Sequence, residues 1–247
     1  MHAASFRTWG LALLFAGGLC LVPAEAKHFK APIIPVESRG SMKEIYKDDA
    51  AAKIKLSELK GVEHLYALGP LSKLRGEIII WDSVPQESRA NRGHIQVKSD
   101  WEESAAFLVW STVSKWKKVD IPTSVRSMET LEMWLNSMSN MEEAPLRREY
   151  PFLLKGHFGR IVWHVVDAKQ DGKPLTPDRH QEQKFHGQTT DVKAEMLGFF
   201  APERQGDFIP RGHRTHLHVR VGDELVAHVE DFDPVGDYSI KLYVPSP

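Results

Sequence analysis

His216 and His218 stand one residue apart, and His228 follows in a second run of alternating apolar residues beyond Gly222, Asp223 and Glu224. Side chains alternate faces along a strand, so His216 and His218 share a face whenever this stretch is extended. A loop over Gly222, Asp223 and Glu224 puts Val221 opposite Leu225, Val219 opposite Ala227 and Leu217 opposite Val229, which gathers one wholly apolar face. The same register sets His218 opposite His228. A loop one residue shorter would scatter histidines and valines over both faces. Burial of the apolar set, which takes no account of metals, therefore selects the pairing that brings the three imidazoles together.

Three neutral imidazoles with a fourth position open are the donor set of a catalytic zinc, because closed structural sites usually include thiolates. The chain has one cysteine, Cys20, and it lies in an N-terminal apolar stretch far from the histidines. His216, His218 and His228 are thus candidate ligands for Zn2+.

That N-terminal stretch has a weakly basic start (His2, Arg7), an apolar run from Trp9 to Val22, and Ala24, Glu25 and Ala26 before Lys27. It reads as a signal peptide over residues 1–26, cut after Ala26, which predicts a periplasmic or secreted protein with no stable membrane span after processing. Leu19 before Cys20 is not the small residue that lipid attachment there would require. About 220 residues remain, enough for a real core without covalent staples. Lys and Arg number 32 against 33 Asp and Glu. This near balance leaves no electrostatic footprint for nucleic acid and favours a small-molecule partner.

Residues 27–150 read as an N-terminal mixed sheet with helices, and 151–247 as a mainly β part that carries the metal ligands. Lys27 to Arg39 reads as a loosely held leader and Ser41 to Leu59 as one or two short helices. Strands are predicted at 64–68, 77–81, 94–98 and 106–110, followed by an amphipathic helix over 127–138 from the spacing of Met128, Leu131, Trp134, Leu135 and Met138. Further strands are predicted at 158–166, 183–189, 193–200, 215–221, 225–231 and 238–244. Gln170 to Lys173 is predicted as a turn.

Three stretches resemble the alpha-acetolactate decarboxylase family. They are Leu68 to Trp81 (LGPLSKLRGEIIIW), Phe158 to Gln170 (FGRIVWHVVDAKQ), and Val192 to Phe232 with its LGFFAP strand, HLH, and AHVEDF. The resemblance implies a mixed α/β fold of two packed sheet-containing parts with a zinc site at their junction, and decarboxylation of (S)-2-acetolactate to acetoin. It assigns His216, His218 and His228 as the zinc ligands and matches Glu77 to the family's glutamate in the Gly-Glu motif. Two positions depart from the family pattern: Pro70 replaces a threonine that lines the pocket, and His164 replaces an arginine that contacts substrate. A homodimer is compatible with this reading.

Decarboxylation of a 2-hydroxy-3-oxo acid needs a cation to draw electrons as carbon dioxide leaves and a positioned acid to return a proton. Glu77 and His164 are the candidate acids. Arg220 has the same parity as His216 and His218 and could bind a substrate carboxylate bidentately. His213 has the opposite parity and reads as a loop residue; His157, His180 and His186 have no spacing that favours a role. Two alternatives stay open: an exported zinc-binding protein of this fold without decarboxylase activity, and a zinc enzyme acting on another substrate.

Overall fold

The computed structural model describes residues 34–139, 148–174, 176, 179, 182–237 and 239–246. The expected signal segment (residues 1–26), Cys20, His180 and Tyr238 lie outside the described residues. Among the described residues, fourteen strands and two α-helices follow in the order β1 (Glu37–Arg39), α1 (Met42–Ile45), β2 (Ile54–Lys55), β3 (Leu65–Pro70), β4 (Glu77–Trp81), β5 (Val84–Asn91), β6 (His94–Lys98), β7 (Ser104–Ala105), β8 (Leu108–Thr112), β9 (Trp116–Val119), α2 (Met128–Ser139), β10 (Tyr150–Val166), β11 (Lys184–Phe200), β12 (Thr215–Val221), β13 (Leu225–Pro234) and β14 (Ile240–Pro245).

The first sheet runs β1-β8-β3-β4-β5-β6, with every pair antiparallel. The second runs β11-β12-β13-β10-β14-β9, and β10 also pairs with β11, so β10 to β13 close into a ring. This is the mixed, strand-rich α/β fold of two packed sheet-containing parts.

Alternation along β4 explains why all five of its residues are buried. Ile79 and Trp81 enter the core between the sheets with Tyr66, Leu68, Phe107, Leu197 and Phe199, while Ile78 and Ile80 enter a second core on the outer face, closed by Ile54, Leu56 and Ala105. A third core lies between the second sheet and α2, whose Met128, Leu131 and Leu135 fall on one helical stripe. The start of α2 is pinned from across the chain: Asp231 Oδ1 accepts from Met128 N at 3.1 Å, placing a carboxylate where unpaired helix N–H groups and the dipole favour it.

The β12–β13 register is the one selected by the apolar pattern: His218 faces His228, Val219 faces Ala227, and Val221 faces Leu225. The strands at Glu77–Trp81, His94–Lys98 and Thr215–Val221 take the predicted bounds. Three readings need correction. The leader is held in its last residues, since β1 pairs with β8. Ser41 to Leu59 forms only the one-turn α1 and a 3-10 turn, Leu56–Leu59, with β2 between them. The two strands expected between Gln183 and Phe200 are the single strand β11, which continues in unbroken register with β10 through a left-handed Asp191 (φ 51°).

Candidate metal centre and its cavity

The two sheets are stitched at the point where the histidines lie. His218 Nδ1 donates to the Ile78 carbonyl of β4 at 2.9 Å, Ser88 Oγ of β5 donates to the Val226 carbonyl of β13, and Val166 N of β10 donates to Glu77 Oε1 at 3.2 Å. His216 Nδ1 donates to the Phe208 carbonyl at 2.7 Å, in the loop between β11 and β12. That loop is fixed in turn by α1, whose Met42 and Lys43 amides bond the carbonyls of Asp207 and Gly206.

A carbonyl can only accept, so each Nδ1 carries the proton and each Nε2 presents a bare lone pair. The Nε2 atoms of His216 and His218 stand 3.1 Å apart. His228 brings a third ring, 4.9 and 5.6 Å from theirs between centroids, and one ligand atom from each of the three lies within 4.8 Å of the others. Two lone pairs facing each other in a water-poor interior repel, and a divalent cation between them removes that cost. Burial also holds the rings neutral: it drives His216 down to about 3 and His218 and His228 well below the usual range. Neutral, pre-oriented, convergent imidazoles fit a zinc ion.

A cavity of about 330 Å³ opens over the triad, lined by His216, His228, Glu77, Phe107 and Leu74 among others. Glu77 Oε2 lies 3.6 Å from His218 Nε2, and burial pushes this carboxyl up to about 8. The turn that delivers Glu77 is conformationally demanding. Lys73 and Leu74 both have left-handed φ (57° and 50°), and Gly76 sits at φ +142°, where an added Cβ would lie 1.8 Å from the Ser88 carbonyl. Pro70 and Leu74 of this turn line the cavity.

His164 pairs across β10 with His228 on one side and His186 on the other, which forms a row of four histidines through β11, β10, β13 and β12. Its ring lies 4.6 Å from that of His228, and it is buried beside the triad. Burial lowers it to about 4, against the opposing pull of Glu230, whose Oε1 is 2.5 Å from Nδ1. Glu230 is the extra residue of a bulge: Trp163 faces Val229 and Val162 faces Asp231, so its side chain is released from the ladder.

Arg220 is placed elsewhere. It shares the parity of His216 and His218, but at the far end of β12 its guanidinium lies over the Trp81 ring at 4.2 Å and bonds Glu195 Oε2 at 2.5 and 3.0 Å, outside the cavity. His213 is exposed in the loop before β12, lines the cavity mouth, and stands 3.5 Å from Glu132 Oε1.

Sequence reasoning missed Glu132. This acid sits on the buried stripe of α2, four residues after Met128, and its Oε1 accepts from Arg214 N, Thr215 N and Thr215 Oγ1 at 2.9, 2.9 and 2.7 Å. It therefore fixes the backbone that leads directly into His216. A carboxylate on an apolar helical stripe was the signal available for it.

No curated protein sequence matches the chain. Among solved structures, alpha-acetolactate decarboxylase from Bacillus subtilis strain 168 matches with a TM-score of 0.66 at 18% identity, over 85% of this chain and 84% of that one. Acetolactate decarboxylase from Bacillus subtilis subspecies spizizenii matches at 0.67 and 17%, over 86% of each chain. A Staphylococcus aureus protein of unknown function, similar to alpha-acetolactate decarboxylase, matches at 0.65 and 16%, over 85% and 84%. These likenesses establish the shared fold. The sequence profile of the alpha-acetolactate decarboxylase family matches residues 40–244, and the chain belongs to that family.

Proposed function

We propose that this protein is a zinc-dependent carboxy-lyase that converts (S)-2-acetolactate into acetoin and carbon dioxide. The observation that carries the reading is the convergence of the His216, His218 and His228 rings beside a cavity that His216, His228 and Glu77 line, in a chain of this family. Zinc held by the three imidazoles would supply a Lewis acid for the carbonyl and hydroxyl oxygens of a 2-hydroxy-3-oxo acid.

The protein's own residues supply the rest. When the bond to the carboxylate breaks, its electron pair passes to the carbonyl side of the substrate and leaves an enediolate. Glu77 then returns a proton to carbon. Its Oε1 is occupied by the Val166 amide, so Oε2, 3.6 Å from His218 Nε2, is the oxygen turned to the reacting centre. The apolar wall of Ile45, Leu74, Phe107 and Val166 excludes water and strengthens every electrostatic contact inside. His164, lowered by burial, is neutral near pH 7 and serves as a neighbour of His228 and Glu230 more than as an acid.

The test is acetoin formation by purified protein, with and without chelator, alongside metal analysis. One zinc per chain and chelator-sensitive acetoin release support the reading. Bound zinc without acetoin from acetolactate would replace it with the altered-substrate reading, which His164 in the place of the family's arginine favours. We also propose export: the mature chain should begin at Lys27, and a native mass that retains residues 1–26 would overturn this. Among the described residues no helix is long and apolar enough to cross a membrane.

A further inference from the structure

Among the described residues lining the cavity, Lys184 is a largely enclosed cation, with its side chain 9% exposed. Strand register fixes its position. Lys184 faces Val166 across β10–β11, one same-face step from the His164–His186 pair, so Val166, His164 and Lys184 present one surface to the cavity.

An ammonium withdrawn from water is costly unless it is compensated. Glu230 Oε1 lies 3.6 Å from Lys184 Nζ, beyond a direct hydrogen bond, and the same oxygen lies 2.5 Å from His164 Nδ1. A lysine head has three donors and no acceptor, and one shared oxygen at that distance does not satisfy them. Arg211 also lines the cavity, but it is exposed at the rim with its guanidinium over the Tyr46 ring at 5.1 Å. Lys184 is the positive charge built into the wall.

We propose that Lys184 receives the substrate's carboxylate, which makes the cavity selective for small 2-hydroxy acids over their uncharged counterparts. This rests on the decarboxylase reading for the reaction, though not for the charge preference. A lysine is a point charge with no fixed fork, so it holds a carboxylate without fixing its plane. The carboxylate must depart as neutral carbon dioxide: the carbon–carbon bond breaks, its electron pair stays with the rest of the substrate, and the negative charge leaves Lys184. The contact is therefore stronger with bound substrate than in the transition state, and its loss falls mainly on KM.

The experiment compares zinc-loaded wild type, Lys184→Met and Lys184→Arg. For Lys184→Met we expect KM for acetolactate to rise roughly tenfold or more while kcat changes less than about threefold, with Lys184→Arg recovering most of the loss. Independently of turnover, calorimetry with 2-hydroxy-2-methylpropanoate and its amide should show wild type preferring the acid by about tenfold, and Lys184→Met losing that preference. An unchanged KM, an acid preference that survives in Lys184→Met, or loss of zinc from both variants would overturn the assignment. A wild type that is inert toward acetolactate yet keeps a Lys184-dependent acid preference would reject the decarboxylase reading and leave the Lys184 assignment standing.

Discussion

His216 Nε2 and His218 Nε2 face each other at 3.1 Å, each ring locked by a backbone carbonyl on its other nitrogen, Phe208 for one and Ile78 for the other. The two carbonyls come from different parts of the chain, one from the loop before β12 and one from β4. The candidate metal site is thus assembled only when the two sheets meet, and a bound metal would stabilise that packing by mass action.

On the zinc reading, His218→Ala should abolish stoichiometric zinc, because it removes one fully buried ring of the proposed triad. Secondary structure should persist, since β12 is held by its ladders to β11 and β13. Zinc per chain by elemental analysis and circular dichroism together decide this; a variant that still holds one zinc would reject the ligand set.

Gly76→Ala tests the turn before Glu77. The substitution meets both a disfavoured φ of +142° and a Cβ 1.8 Å from the Ser88 carbonyl. Relief requires β4 and β5 to separate at the edge that carries the Ser88 bond to β13. We expect a loss of about 1–3 kcal/mol in denaturant unfolding together with weaker zinc retention. Wild-type stability in the variant would show that the turn can relax without moving Glu77.

Glu132 gives a pH-dependent prediction. Burial alone would raise its carboxyl, but bonds from His213, Thr215 and Arg214 outweigh this and hold it below its ordinary value of 4.5. A depressed folded value means stability that is present above 4.5 and is lost as pH falls through the folded value. Glu132→Gln should therefore lower Tm at neutral pH, and the gap to wild type should narrow as pH falls below 4.5. A gap that is constant across that range would mean the bonds at Thr215 do not depend on the carboxylate's charge.

The triad was legible because one periodicity carried both the fold and the ligands: Leu217, Val219, Val221, Leu225, Ala227 and Val229 had to share a face, and parity then placed the histidines. α2 was legible for the same reason. β5 was not, because Gln86, Glu87, Ser88 and Arg89 lack an apolar pattern. It is buried through polar bonds instead, with Gln86 Nε2 reaching Gly222 O and Asp223 Oδ1, and Ser88 reaching Val226 O. Lys184 and Glu230 were illegible for a different reason. Their meeting depends on the register of β10 with two partners and on a bulge in β13, neither of which leaves a trace in local spacing. Arg220 shows the limit of parity: it names the face but not the distance along it.

The assignment of the proton donor separates Glu77 from His164. Both line the cavity and both are buried, but Glu77 Oε2 is 3.6 Å from His218 Nε2, while His164 Nδ1 is turned to Glu230. Glu77→Gln keeps the shape and the Val166 contact, yet a carboxamide cannot donate a proton usefully, so turnover should fall about a hundredfold or more with zinc content unchanged. His164→Ala removes a neutral imidazole beside His228 and should cost less than about tenfold, the scale of lost orientation rather than of a lost acid. Single-turnover acetoin formation by zinc-matched samples makes the comparison direct. If His164→Ala proves the more damaging, the proton passes through the Glu230–His164 pair, and Glu77 serves instead to hold β10 against β4 through the Val166 amide.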